Sequence, residues 1–224
     1  MADSLYSSSD PLLFQRVSRI VNSTPSLDEI LAQVVSLTAR ISACDACLVY
    51  LLEPGSGDFL LRASLVPRPD HVGSMRMHVG EGITGWVAQH QQPVALSSHA
   101  AEDPRFKRVP VIVEDTYEAF LSFPVVSLGR TVAVINLHHR DRHEHSAAEM
   151  EALTFIAEQV GGAIDKTLLA DENRRLAELD RKLELERAAL EREVTRRTVE
   201  LELAKEKAEE ATRLKRPVPG EHEP

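Results

Sequence analysis

The sequence has little cysteine, few aromatic residues and no long apolar run. It contains two cysteines and one tryptophan in 224 residues, and Phe, Trp and Tyr together make up 4% of the chain. A framework of several disulfides is therefore excluded. No apolar stretch approaches the roughly 20 residues of a transmembrane helix, and residues 1–15 lack the regions of a signal peptide. These absences predict a cytoplasmic protein with reduced thiols and no membrane partner.

A surplus of basic charge is also lacking. The chain has 26 Lys and Arg against 35 Asp and Glu, a formal net charge of -9. Nucleic-acid binding needs basic surface that displaces counterions from phosphates, so no nucleic-acid partner is expected. Charged residues crowd positions 170–216, whereas β-branched and aromatic residues concentrate in 30–137. This shift predicts a globular domain followed by a long charged helix.

Periodicity divides the globular part into helices and strands. Apolar residues recur with helical spacing over 12–21 and over 26–42, where Ser26 and Glu29 form a capping box. A second capping box, Ser146 with Glu149, begins a helical pattern that meets no proline until Pro217. This helix is either continuous or broken once near Gly161 and Gly162. A short helix is predicted at 83–90, and strands at 46–53, 58–66, 75–79, 93–96, 119–127 and 131–139. The order predicts an α+β fold with a sheet covered by terminal helices.

The segment HVGEGITGWVA contains a GxGxxG pattern formed by Gly80, Gly82 and Gly85. A dinucleotide site needs a buried parallel strand before the glycines, a longer helix after them and an acidic residue about 20 positions on. Here the preceding strand alternates with polar residues, the helix has about two turns, and the next strand ends in serines. The pattern therefore favours a tight turn and close helix packing. The helix N-terminus still offers amides to a small anion.

Three longer stretches are informative together: SLDEILAQVVSLTARISACDACLVYLLEPGSGDFLLRAS, GEGITGWVAQHQQPVALSSHAAEDPRFK and AFLSFPVVSLGRTVAVINLHHRDRHEHSAAEMEALTFIAEQVGGAID. They resemble a GAF domain, and the resemblance runs from Leu12 to Lys166. It implies a six-stranded antiparallel sheet with a ligand pocket between the sheet and a covering helix and loop. It also implies a regulatory module that binds small molecules or only dimerises, and that is not an enzyme.

The resemblance also implies which residues line that pocket. Trp86 and Phe106 are the strongest candidates, because alternation already predicts that many of the apolar strand residues serve core packing. Cyclic-nucleotide binding is not expected, since Leu137 replaces the lysine that follows the family's asparagine. Neither the ligand nor a cofactor is identified. The implied lining is Val49, Leu51, Gly82, Ile83, Trp86, Val87, Phe106, Phe120, Phe123, Asn136 and His138.

Two further patterns could carry chemistry. Cys44 and Cys47 form a CxxC at the start of a strand, where side chains alternate between faces, so Cys47 is expected to be a small buried residue. Some GAF domains reduce free methionine sulfoxide through cysteines, which leaves an enzyme as an alternative. No nucleophile with a positioned base is recognised, so no catalytic residue is predicted.

The segment HHRDRHEH places His138, His139, His143 and His145 beside Asp141 and Glu144. Such side chains can bind zinc or nickel. They span a strand end and a loop, which does not guarantee ligand geometry. Adventitious metal binding is favoured, and no physiological metal site is predicted.

The charged helix carries leucines every seven residues. Leu169, Leu176, Leu183 and Leu190 form one series, and a partner series runs through Asn173 to Val194 and Leu201. This pattern favours a parallel coiled-coil homodimer, with a single solvated helix as the alternative. The predicted dimerisation residues are Leu169, Leu176, Leu183, Leu190, Val194 and Leu201.

The stretch ELELAKEKAEEATRLK resembles the linker that leads into the phosphoacceptor helix of sensor histidine kinases, but RPVPGEHEP follows it. The whole therefore resembles the input half of a bacterial GAF-containing sensor histidine kinase without its kinase core. We expect a disordered segment at 1–11, a GAF domain at 12–166, a signalling coiled coil at 167–216 and a disordered tail at 217–224. The expected function is small-molecule sensing by a cytoplasmic homodimer in a two-component system, with a histidine kinase or response regulator as partner. A ligand-free scaffold that pairs with a histidine kinase is the alternative.

Overall fold

The computed structural model describes residues 11–22, 26–53, 55–65, 71–107 and 117–214. The chain divides into two compact units, residues 1–171 and 172–224. The segments predicted to be disordered, 1–11 and 217–224, lie outside the described residues except for Pro11, which begins the first helix. Among the described residues, no helix is long and apolar enough to cross a membrane.

The first unit is built on one six-stranded sheet in which every pairing is antiparallel. The strand order is β3-β2-β1-β6-β5-β4, so β1 and β6 lie at the centre. This α+β architecture confirms the predicted fold. The elements are α1 (Pro11–Asn22), α2 (Leu27–Ser42), β1 (Ala46–Leu52), β2 (Phe59–Leu65), β3 (Arg76–Met77), α3 (Gly82–His90), β4 (Val94–Leu96), β5 (Ala119–Ser127), β6 (Arg130–His139) and α4 (Ala147–Leu214).

The two capping boxes behave differently. At α2 both hydrogen bonds form: the Ser26 amide donates to Glu29 at 2.9 Å, and the Glu29 amide donates to the Ser26 hydroxyl at 3.3 Å. At α4 the Glu149 amide donates to the Ser146 hydroxyl at 3.1 Å. The Glu149 carboxylate, however, is hydrogen-bonded to a serine of α2 and to two histidines. In the second box, Ser146 therefore caps the start of α4, whereas the Glu149 carboxylate bonds to groups outside the box.

Each face of the sheet packs against its own layer. The helix side buries apolar residues of α1, α2 and the first turns of α4 against alternate residues of β1, β5 and β6. The opposite face, which we call the α3 side, packs against α3 and the segment that holds Phe106. Because both faces are covered, the central strands are buried along nearly their whole length.

Helix α4 runs without a break from Ala147 to Leu214, so the two glycines within it do not interrupt it. Gly161 instead allows a close approach, because a Cβ there would come within 2.6 Å of the Val126 carbonyl oxygen of β5. Gly162 faces open space. In the second unit, the described side chains of the helix are exposed or partly exposed, as expected for its charged composition.

Candidate functional site

The turn before α3 explains the three glycines. Gly80 and Gly82 adopt positive φ angles of 82° and 65°, which glycine reaches without strain. A Cβ on Gly85 would lie 2.2 Å from the carbonyl oxygen of His78, so only glycine fits there. The strand before the turn is a two-residue antiparallel edge strand. Its geometry is not that of a dinucleotide-binding motif, which agrees with the interpretation of these glycines as a tight turn.

Most of the predicted pocket residues meet on the α3 side. Helix α3 supplies Gly82 at its first position and contributes its buried face, while β5 and β6 supply residues opposite it. The aromatic Phe106 packs edge-on against Phe120, with ring centroids 6.5 Å apart. The predicted residues that the structure brings together there are Ile83, Trp86, Val87, Phe106 and Phe120.

Three predicted residues lie on the opposite face. Val49 and Leu51 of β1 and Phe123 of β5 are buried in the helix-side core. Successive side chains of a strand alternate between faces, so these three lie one position out of step with Tyr50 of β1 and Phe120 of β5. These three residues therefore lie apart from the predicted pocket residues that meet on the α3 side.

A buried chain of hydrogen bonds joins the sheet to α3. The Ser122 hydroxyl donates to the Asn136 side-chain oxygen at 2.7 Å, and the Asn136 amide donates to the Thr84 hydroxyl at 2.8 Å. Asn136 was predicted as a site residue, whereas Ser122 and Thr84 were missed. Ser122 stands directly opposite Asn136 in the β5–β6 register, so a correct strand pairing could have found it. Thr84 is the second residue after Gly82, and nothing in its spacing marks it.

Trp86 lies at the partly exposed edge of this side. The Arg105 guanidinium sits 4.9 Å from the centre of its ring, and the His90 ring stacks with it at 4.2 Å. Asp103 holds Arg105 through two hydrogen bonds of 2.9 and 2.8 Å, and these bonds lower the pKa of the Asp103 carboxyl. A cation and an aromatic ring are therefore placed together beside the covering segment.

His138 is the most unusual polar group of the α3 side. Its side chain is enclosed by Phe120 and Tyr117, whose ring centroids lie 4.7 and 4.8 Å away, and the residue is only 7% exposed. Its Nε2 has no hydrogen-bond partner among the described residues. Burial, helped by the neighbouring His139, lowers the pKa of His138 to about 3. A neutral imidazole with an unused nitrogen is thus available to a ligand.

The two cysteines lie away from the α3 side. Cys47 is buried in the helix-side core, as expected, with its sulfur 3.4 Å from the Thr38 hydroxyl, and Cys44 packs partly buried against the same core. Both are free thiols. Burial raises the pKa of each to about 12.

The predicted dimerisation residues lie on the surface of α4. Leu183, Leu190 and Val194 line one shallow surface groove along the helix, together with Glu186, Arg187, Glu191 and Thr195. All six predicted residues are about half exposed or more: Leu169, Leu176, Leu183, Leu190, Val194 and Leu201.

The family model for the GAF domain matches residues 26–164. This chain belongs to the GAF domain family. GAF domains are signalling and sensory modules. The phosphoenolpyruvate-dependent phosphotransferase system protein of Escherichia coli K12 is 25% identical over 149 residues, which cover 66% of this chain and 20% of that protein. The chain therefore spans about a fifth of the length of this curated relative.

Solved structures support the same fold. The GAF domain of a phosphoenolpyruvate-protein phosphotransferase from Acinetobacter is 29% identical with a TM-score of 0.62, covering 70% of this chain and 95% of that one. Free methionine-R-sulfoxide reductase from Neisseria meningitidis, solved with its substrate, has a TM-score of 0.59 at 16% identity and covers 76% and 99% of the two chains. At that identity the likeness concerns the fold alone.

Proposed function

We propose that this protein is a cytoplasmic sensory module that binds a small molecule on the α3 side and passes the signal through a dimeric coiled coil. The observation that carries the proposal is the buried, unpartnered Nε2 of His138. A buried polar atom without a partner costs about 1–3 kcal/mol, which a bound ligand that hydrogen-bonds to it would recover. The first amides of α3 lie on the same side and lack acceptors within the helix.

The chemistry of this side indicates the class of ligand. Phe106, Phe120 and Trp86 offer apolar contact, while His138 and the α3 amides offer hydrogen bonds. Lys107 lies close to Gly82, but its ammonium is paired with the Glu81 carboxylate at the start of α3, so it adds no free positive charge there. A small molecule with one apolar part and one hydrogen-bonding polar group fits these features best.

Thermal-shift screening of the full chain against amino acids, carboxylic acids and nucleotides tests ligand binding. A ligand that binds only the folded state raises the unfolding temperature, by an amount that grows with concentration. We expect His138→Leu to abolish the shift and Leu128→Gln, in the exposed β5–β6 turn, to keep it. Failure of every compound to stabilise the wild-type chain would favour the ligand-free scaffold.

The proposed dimer rests on the leucine series of α4. Leu183 and Leu190 are 55% and 67% exposed, although large apolar side chains gain free energy from burial. Their seven-residue spacing matches the contact between two helices of a coiled coil, so the partner we propose is a second copy of this chain. A change in helix register in that dimer would carry the signal to a histidine kinase or response regulator.

Light scattering of full-length variants tests the dimer. The wild-type mass should be twice the 24.9 kDa of one chain. We expect the double variant Leu183→Glu with Leu190→Glu to be a monomer, because it places charge in the contact. Leu185→Glu is the matched control, since Leu185 is 64% exposed but outside both heptad series. A monomeric wild type, or a dimer that survives the double variant, would remove the coiled coil from the proposal.

A further inference from the structure

Three histidines converge where β6 ends and α4 begins. One nitrogen from each of His139, His143 and His145 lies within 4.8 Å of the other two. The rings of His139 and His143 stack in parallel at 3.9 Å, and the His145 ring is tilted by 64° to both. We propose that these three imidazoles bind one divalent first-row transition metal ion, with a coordination position left for water or a small anion.

Glu149 and Ser42 orient the three rings. A carboxylate only accepts hydrogen bonds, so His145 Nδ1, at 3.0 Å from Glu149, and His143 Nε2, at 3.1 Å, are the protonated nitrogens. The Ser42 hydroxyl donates to Glu149 at 2.5 Å, and its oxygen accepts from His139 Nε2 at 3.1 Å. In the neutral form of each ring, the other nitrogen then carries the lone pair. This is how carboxylates orient histidine ligands around metal ions.

His145 gives a second observation that points to a ligand. Its side chain is 3% exposed, and its Nε2 is buried without a hydrogen-bond partner among the described residues. The hydrogen bond of Nδ1 to Glu149 leaves the lone pair on that same Nε2. A bound metal ion would give His145 Nε2 the partner it lacks and would offset the free energy lost by its desolvation.

Metal binding requires the three nitrogens to move closer together. Zinc binds imidazole nitrogen at about 2.0–2.1 Å, which places tetrahedral ligand atoms about 3.4 Å apart. The His139 and His143 rings are parallel, so their lone pairs meet at one ion only after one ring turns, and we expect that ring to be His143, whose side chain is 30% exposed. Glu144 is not part of the cluster, because it pairs with Arg142 at the surface at 2.5 Å. The sequence favoured no physiological metal since it could not show this convergence.

Calorimetric titration of ZnCl2 into the full-length chain, produced without a polyhistidine tag and treated with EDTA, tests the site. We expect one Zn²⁺ per chain, and visible absorption bands when Co²⁺ replaces it. His143→Gln should weaken Zn²⁺ binding by more than about 100-fold, and Ser42→Ala, which removes the hydroxyl that contacts Glu149 and His139, by about 10–100-fold.

The matched control is the double variant His78→Gln with His99→Gln. Both side chains lie at the surface beside a carboxylate, 68% and 66% exposed, but outside the cluster. It should bind Zn²⁺ as the wild type does. Circular dichroism of each variant verifies the fold, which the partly exposed position of His143 should preserve. Absence of Zn²⁺ uptake by the wild type, or equal affinity in His143→Gln, would overturn the proposal.

Discussion

The side-chain amide of Asn136, at the centre of the sheet, donates a 2.8 Å hydrogen bond to the hydroxyl of Thr84 on α3. Both residues are buried, so neither group can exchange its partner for bulk water. Since Asn136 also accepts from Ser122, a continuous polar chain crosses an otherwise apolar layer. This chain fixes the position of α3, and with it the predicted ligand-binding side.

Thr84→Val should destabilise the protein by about 1–3 kcal/mol, because it leaves the buried Asn136 amide without an acceptor. Thr84→Ser keeps the hydroxyl and should cost less, about 1 kcal/mol for the lost methyl group. Urea unfolding, monitored by the fluorescence of Trp86, the single tryptophan, measures the free energy of unfolding of both variants. Equal effects of the two variants would show that the hydroxyl contributes nothing.

Two adjacent glycines of α4 should respond to alanine in opposite ways. Gly161→Ala puts a Cβ 2.6 Å from the Val126 carbonyl oxygen and must push α4 away from β5. We expect a loss of about 1–3 kcal/mol, as for other overpacked sites. Gly162→Ala meets nothing within 4 Å and should stabilise the helix by up to about 1 kcal/mol. Thermal unfolding of both variants under the same conditions measures the two changes in stability. Two changes of the same sign would contradict the prediction.

The sequence predicted the elements well because their signals are local. The capping residue Ser26, the change from helical to alternating periodicity and the glycines before α3 each depend on neighbours a few positions away. The sheet face of a buried strand is different. Six of the seven residues of β1 are buried, so hydrophobicity cannot tell the two faces apart, and it could not show that Val49 and Leu51 lie on the helix side.

The contacts of Glu149 were beyond the reach of sequence for another reason. Its spacing from Ser146 indicated a capping box, which accounts for the start of α4 but not for its carboxylate. The partner that diverts this carboxylate, Ser42, lies 107 positions away in the chain. The contact between Ser42 and Glu149 forms only when the fold brings the end of α2 and the start of α4 together, so no local sequence pattern predicts it.

The thiols should be unreactive in the folded protein. With the pKa of Cys44 and of Cys47 raised to about 12 by burial, the thiolate fraction near pH 8 falls about 1000-fold below that of an ordinary thiol. Ellman's reagent should therefore label the native chain slowly, and both thiols rapidly in urea. Cys44→Ser and Cys47→Ser separate the two contributions. Rapid labelling of either native thiol would revive the cysteine-based reductase as a function.

Acid should destabilise the fold through His138. Above about pH 6.5 its imidazole is neutral in the folded and unfolded chains alike. Below that value the unfolded chain binds a proton, whereas the folded chain does not, because burial lowers the folded pKa to about 3. His138 alone should lower the free energy of unfolding by about 1.4 kcal/mol per pH unit, or about 2 kcal/mol between pH 6.5 and pH 5.

His138→Leu should remove this contribution. The variant replaces the unpartnered imidazole with an apolar side chain. Its free energy of unfolding should therefore fall by about 2 kcal/mol less than that of the wild type between pH 7 and pH 5. Urea unfolding at each pH, with EDTA present to exclude metal binding nearby, gives the two slopes. The control is His90→Gln, at the exposed end of α3, which should keep the wild-type slope. Because a desolvated histidine is the cause, an unchanged slope in His138→Leu would mean that water reaches this nitrogen and that His138 is not held ready for a ligand.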